Sequence, residues 1–285
     1  MIIAHISDIH LPTTRPRLWE LFSKSFLSFL SWHHKRKRIH LPEVTAALLE
    51  DMRAHNPDHI CVTGDVANAS FHSELEQARD WLEDLGSPEK ISFVPGNHDA
   101  IVKRAEKKKP LYFAKWMHSD DKVKKAPYIQ RKDGVAFIGL DSAVATPPTF
   151  ASGRLGEAQL ARLSRLLQKA GDEGLFRVVM IHHPPLPKMA KYRKALRDAG
   201  TLQTVLQENG AELVLCGHTH IPLKKTLETT NGDAQIYGAG SASMLDLAGK
   251  GAAHYNLFEV KDGEFKAMQR VYDPEKKVFV AYTSQ

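Results

Sequence analysis

Two cysteines in 285 residues are too few for a disulfide framework, and both stand inside apolar runs, Cys61 in 59–63 and Cys216 in 213–216. They read as small buried hydrophobes in a reducing compartment. No uninterrupted apolar stretch is long enough to cross a bilayer. No basic n-region precedes the first apolar run, so a signal peptide is not expected. Internal repeats and low-complexity linkers are missing as well. What remains has ordinary globular composition, 42% apolar and 25% charged, and is expected to fold as a single domain over 1–285 in the cytoplasm.

Acidic residues are also in deficit, and the formal charge of +6 is unevenly spread. From Arg15 to His40 seven basic residues face Glu20 alone, and from Lys103 to Lys125 nine basic residues face three acidic ones. Charge runs are usually solvated faces. Two of them, each following a site loop, fit an anionic partner or substrate.

Residues 15–40 read as an insertion. On a helical wheel Leu18, Trp19, Leu21, Phe22, Phe26, Phe29, Leu30 and Trp32 share a face, with Glu20, Ser23, Lys24, Ser28 and Ser31 opposite. The basic run His33-His34-Lys35-Arg36-Lys37-Arg38 follows. The expectation is a helix packed on its own domain or in a homodimer contact. The alternative is peripheral contact of Leu18–Arg38 with the inner face of the membrane. Residues 100–127 are basic and irregular, and are read as a flap over a phosphate site. Tyr112, Phe113 and Trp116 among their cations also suit nucleic acid, the less simple reading.

Elsewhere short apolar runs alternate with amphipathic helices. Strands are expected at 1–7, 59–63, 91–94, 135–140, 177–181 and 213–216, and helices at 42–55, 73–85 (Ser73 capping, Glu76 three residues on), 156–170 and 201–209. Past Pro222 short β-type runs meet at Asn231-Gly232 and Asp262-Gly263, both strong hairpin turns. Strand–helix alternation followed by an antiparallel tail implies a mixed sheet or two sheets.

The apolar runs end in a consistent chemistry: Asp8-Ile9-His10, Gly64-Asp65, Gly96-Asn97-His98-Asp99, His182 and Gly217-His218-Thr219-His220. Asp8 and His10, two apart on an extended backbone, project to one side and can grip one cation. Imidazole, carboxylate and amide oxygen suit divalent Mn, Fe, Zn or Mg. No cysteine stands at a strand end, which disfavours a structural zinc. The set is too large for one closed site of about four ligands and about right for two metals sharing a carboxylate, a recurring device in phosphate-ester hydrolysis.

These five motifs, in this order, resemble the calcineurin-like metallophosphoesterase superfamily. The resemblance implies an α/β four-layer αββα sandwich of two mixed sheets flanked by helices. It implies two divalent ions, with Mn and Fe favoured. Asp8, His10 and His220 would hold the first; Asn97, His182 and His218 the second; Asp65 would bridge them. Asn97, His98 and Asn68 would contact substrate. An activated water would attack phosphorus in line, and His98 would protonate the leaving oxygen, oriented by Asp99. His183 would lie behind the ligands, while His5 and His254 read as packing residues.

Within the superfamily, Gly64-Asp65-Val66-Ala67-Asn68-Ala69-Ser70 lacks the Arg of protein serine/threonine phosphatases. Asn68 stands where purple acid phosphatases have Tyr and double-strand-break nucleases have His. What remains resembles the bacterial class III cyclic-nucleotide phosphodiesterases, which often have Asp at that place. The expectation is therefore a phosphodiesterase acting on a small phosphodiester such as a cyclic nucleotide. The alternative is a pyrophosphatase or phosphodiesterase on a nucleotide-linked or lipid-linked substrate at the membrane, as in the UDP-diacylglucosamine pyrophosphatases. A non-catalytic scaffold is the third reading, opposed by the complete ligand set.

Overall fold

The computed structural model describes residues 1–123, 125–245 and 252–282. In chain order its strands and α-helices are β1 (Ile2–Ile6), α1 (Lys24–His34), α2 (Pro42–Ala54), β2 (His59–Val62), α3 (His72–Leu85), β3 (Ile91–Phe93), α4 (Lys103–Phe113), β4 (Tyr128–Lys132), β5 (Val135–Gly139), α5 (Glu157–Asp172), β6 (Phe176–Met180), α6 (Ala199–Asn209), β7 (Leu213–Cys216), β8 (Leu223–Thr229), β9 (Gly232–Gly238), β10 (His254–Lys261), β11 (Glu264–Asp273) and β12 (Val278–Ala281). Two six-stranded sheets result, ordered β12-β11-β10-β1-β2-β3 and β4-β5-β6-β7-β9-β8.

Both sheets are mixed. β1, β2 and β3 run parallel, as do β5, β6, β7 and β9. These strands carry near-continuous apolar runs because both faces are covered. The C-terminal strands extend both sheets: β10 pairs antiparallel with β1, and β8 folds back on β9 through the turn at Gly232. The tail is thus antiparallel except at β9, which joins β7 in parallel.

Helical periodicity sets the outer layers. On α2, Val44, Leu48 and Met52 are buried at i, i+4 and i+8; on α5, Leu160, Leu163, Leu166 and Leu167 form one inward stripe. The first stripe packs on the β1 sheet and the second on the β5–β7 sheet. A third cluster lies between the sheets, where Ile3, Cys61 and Phe258 meet Phe137, Val178, Met180 and Leu215. Each such large apolar side chain contributes about 1.5–3 kcal/mol by burial. Helix, sheet, sheet, helix is the expected four-layer sandwich.

Three local expectations need correction. The 18–38 helix is broken: a 3₁₀ turn at Leu18–Glu20, α1, then a second 3₁₀ turn at Arg36–Arg38. Its apolar residues do not share a buried face. Trp32 and Ser25 are buried, whereas Leu18 and Phe22 are 79% and 95% exposed. One serine of the helix is turned by a backbone acceptor: Ser28 Oγ donates to Asn68 O at 2.8 Å. The 100–127 segment, of which residue 124 lies outside the described residues, is no irregular flap. It contains α4, and Tyr112, Phe113 and Trp116 are buried in the core beside α3, which removes the aromatic motive for nucleic acid. Finally, α3 starts at His72 with Phe71 before it. Ser73 makes no cap, and its hydroxyl meets Thr14 Oγ1 instead.

Candidate metal centre

The two sheets bring the ends of β1, β2, β3, β6 and β7 together, and three of the loops there are held in forced close approach. A Cβ on Gly64 would lie 2.4 Å from Gly96 N; one on Gly96 would lie 2.2 Å from Asp65 Oδ1; one on Gly217 would lie 1.9 Å from Ser7 Oγ. Only glycine lets these loops touch. The neighbouring site residues are strained as well. Asp8, His10, Asp65, His218 and His220 all have φ between 48° and 71°, a region that costs side-chain-bearing residues about 1–3 kcal/mol each and recurs at functional sites.

Asp8 and Asp65 each have one oxygen fixed by hydrogen bonds and one turned toward an imidazole. Asp8 Oδ2 accepts from Ser7 Oγ at 2.7 Å and from His218 N at 2.9 Å, while Oδ1 makes no hydrogen bond and faces His220 Nε2 at 3.0 Å. Asp65 Oδ1 accepts from His98 N at 2.6 Å, and Oδ2 faces His182 Nε2 at 3.4 Å.

The imidazoles are turned the same way. A carbonyl can only accept, so His182 Nδ1 donates to Thr63 O at 2.7 Å and a neutral ring keeps its lone pair on Nε2. Around that Nε2 stand Asn97 Oδ1 at 3.3 Å, His218 Nδ1 at 3.2 Å and the free oxygen of Asp65. These are lone pairs converging on one point. His10 is set likewise, with Nδ1 on Ala67 O and Nε2 at 3.2 Å from His220 Nε2. Outer hydrogen bonds that fix a ring this way are the usual support of a metal-binding histidine.

The electrostatics report the same convergence. Burial opposes charge on Asp8, but His220 and Ser7 outweigh it and hold the carboxyl well below its usual range. Burial also opposes charge on His182, and Asp65 with Asp8 behind it raises the ring to about 9. A proton there stands in for a cation. Among the described residues three groups have ligand atoms inside 4.8 Å of one another: Asp8, His10 and Asp65; Asp65, His182 and His218; and His10, His40 and His220. Asp65 belongs to two of them. The donor set therefore fits a pair of divalent ions.

Two expected contacts differ on this geometry. Asp99 does not touch the His98 ring; its carboxylate accepts the backbone N–H groups of Asp65, Gly96 and Ala67 at 2.8–2.9 Å. Asn68 turns its side-chain amide away to Leu11 O, and its own carbonyl accepts from His98 Nδ1 at 2.5 Å. The Asn68 carbonyl thus holds the His98 ring. His98 itself points Nε2 into the centre, but burial and Arg36 lower it to about 4, so without an anion it is neutral at pH 7. His183 is satisfied at both nitrogens by Ser142 Oγ and Ala151 O, and His5 and His254 are buried in packing positions.

Sequence reasoning missed two residues. His40 is buried, with Nδ1 2.9 Å from Ser243 Oγ and its ring 4.6 Å from that of His10. Arg36 reaches the centre from the basic run. Neither follows a strand, and a run of cations is read by default as solvated, so no local signal marked them.

The chain is similar to several known proteins. The chain is 28% identical over 223 residues to the glycerophosphodiester phosphodiesterase GpdQ of Enterobacter lignolyticus, covering 77% of this chain and 71% of that one. It is 28% identical over 197 residues to the 3',5'-cyclic adenosine monophosphate phosphodiesterase CpdA of Escherichia coli, covering 67% and 66%. In structure it superposes on a dimetal phosphatase from Danio rerio with a TM-score of 0.64 and 12% identity, covering 100% and 99% of the two chains, a likeness of fold. The sequence profile of the calcineurin-like phosphoesterases matches residues 1–222, and the chain belongs to that family of metal-dependent phosphoester hydrolases.

Proposed function

We propose that this protein is a binuclear-metal phosphodiesterase acting on a small phosphodiester. Asp8, His10 and His220 would hold one ion and Asn97, His182 and His218 the other, with Asp65 between them. The observation that carries this is the convergence of candidate ligand atoms around His182 Nε2, together with Asp8 Oδ1 buried without a hydrogen bond. When bound, the two ions supply an activated water and neutralise charge on phosphorus. The chain's own residues do the rest. Asp8 and Asp65 hold their free oxygens inward on fixed backbone, and Asn68 O holds the His98 ring with Nε2 toward the substrate. There His98 donates a proton to the leaving oxygen once an anion has raised its affinity for one. The diester reading is supported by the relatives named as glycerophosphodiester and cyclic-nucleotide phosphodiesterases; Mn or Fe is the expected metal.

The test is hydrolysis of bis-p-nitrophenyl phosphate and p-nitrophenyl phosphate by Mn²⁺-reconstituted protein, with Asp65→Ala alongside. Diester turnover that disappears in the variant supports the reading, and a preference for the monoester would overturn the diester assignment.

A second reading has its own observation. Leu18, Trp19, Phe22 and Leu27 are exposed on the same segment as the exposed Lys35, Lys37 and Arg38, and no helix among the described residues is long and apolar enough to cross a membrane. A cavity of about 230 Å³ opens beneath Trp19, between Ser25, Leu75 and Tyr112. This arrangement fits peripheral contact with an anionic bilayer and a lipid-linked substrate. Co-sedimentation with phosphatidylglycerol vesicles should be lost in Trp19→Ser/Phe22→Ser, and no binding by the wild type would dispose of the idea.

A further inference from the structure

Arg36 is held in place from both sides. The backbone N–H groups of Ile39 and His40 donate to Arg36 O at 3.0 and 2.9 Å, closing a tight turn. Upstream, Trp32 is buried. Downstream, His40 is bound to Ser243 Oγ, and Leu41 N donates to Ser243 O at 2.8 Å. Lys35, Lys37 and Arg38 point to solvent, and Arg36 alone of this run turns inward.

Its guanidinium lies between two rings. Nη2 is 3.0 Å from His10 Nε2 and Nη1 is 3.1 Å from His98 Nε2, and the rings stand perpendicular with centroids 5.0 Å apart. Among the described residues no carboxylate comes within 4.0 Å of it, although Asp65, Asp8 and Glu74 attract it from further away. A guanidinium has five donors in a planar fork suited to two oxygens of one phosphoryl group. Here two of those donors rest on imidazole nitrogens whose lone pairs have other uses. His10 faces the first candidate ion and His98 the leaving oxygen, so the space between them is where phosphoryl oxygens must lie.

We propose that Arg36 is a substrate-contacting residue whose guanidinium binds the non-bridging phosphoryl oxygens between His10 and His98. The proposal rests on the phosphoesterase reading of the centre. With an ion held beside His10, the lone pair that Nη2 now meets would be taken, and the Arg36 fork would be free to pair with the anion. The 15–40 insertion is then part of the active centre, a role its basic composition did not distinguish from a solvated face.

The test is titration calorimetry of inorganic phosphate into Mn²⁺-loaded protein, with metal content measured in each variant and bis-p-nitrophenyl phosphate kinetics alongside. Arg36→Ala should keep its metals, bind phosphate about 10- to 100-fold more weakly, and raise KM. Arg36→Lys, which keeps the charge and loses the fork, should recover only part of the affinity, and Lys37→Ala should show none of the defect. Unchanged phosphate affinity in metal-replete Arg36→Ala overturns the proposal. So does tighter binding or faster turnover, which would make Arg36 a plug, or loss of metal, which would make it a builder of the centre. Wild-type protein that binds phosphate through Arg36 yet hydrolyses no ester would uphold the proposal and sink the phosphoesterase reading.

Discussion

Asp99 accepts the backbone N–H of Asp65 at 2.8 Å, so one loop of the centre holds the carboxylate of another in register. The same side chain takes the N–H groups of Gly96 and Ala67. Asp99→Ala would leave three buried amides without acceptors and should destabilise the protein by about 3 kcal/mol, with Asp99→Asn milder because one acceptor survives. Urea unfolding of the metal-free protein measures this, and a loss below about 1 kcal/mol would show that water or a neighbour replaces the carboxylate.

Gly96→Ala tests the close packing of the loops. Its Cβ would fall 2.2 Å from Asp65 Oδ1 and 2.5 Å from Asp65 N, so the candidate bridging carboxylate has to move. The purified variant should bind less than the wild-type complement of Mn²⁺ by elemental analysis. Gly200→Ala is the control, since nothing lies within 4 Å of the added methyl; equal metal content in all three proteins would contradict the geometry.

Glu74 gives stability a pH dependence. Burial raises its carboxyl to about 7, against the ordinary 4.5, even though Ala69 N and Asn68 N donate to it. The folded state therefore holds a proton that the unfolded state has lost between those values. Stability contributed by this group is full below pH 4.5 and falls as pH rises toward 7, by on the order of 3 kcal/mol in all. Glu74→Gln should flatten that part of the stability profile of the metal-free protein. An unchanged slope would mean that other groups set it.

Metal should stabilise the fold, because the converging lone pairs exist only in the folded chain. At a hundredfold excess of Mn²⁺ over its dissociation constant the gain is about 2.7 kcal/mol, enough to raise the melting temperature by several degrees. Excess EDTA should reverse the shift, and Asp65→Ala should show almost none. A melting temperature indifferent to Mn²⁺ in the wild type would argue against the centre altogether.

Much of this centre is legible in the order of residues. Glycine followed by Asp, Asn or His at the end of a buried run is a local pattern, and several such runs in order make chance a poor explanation. The failures have a common cause. The 18–38 segment has helical periodicity, yet tertiary partners decide which face is buried. Asn68 O takes the Ser28 hydroxyl and His40 stacks on the buried Trp32, while Phe22 stays outside. Position alone assigns Asp99 to His98 and Asn68 to substrate, and neither assignment could anticipate that backbone amides and carbonyls from other loops would claim them.

Residue order alone therefore set which groups end each strand, because backbone periodicity and glycine placement act over a few residues. That was enough for the alternation of strand and helix and for the chemistry of the candidate ligands. Which oxygen of Asp8 stays free and which nitrogen of His182 keeps its lone pair were decided by the two sheets meeting, and Arg36 was turned inward by a tight turn anchored on Ser243. Those choices depend on hydrogen bonds such as that from His182 Nδ1 to Thr63 O, across 119 residues of chain, whose distance no local pattern encodes.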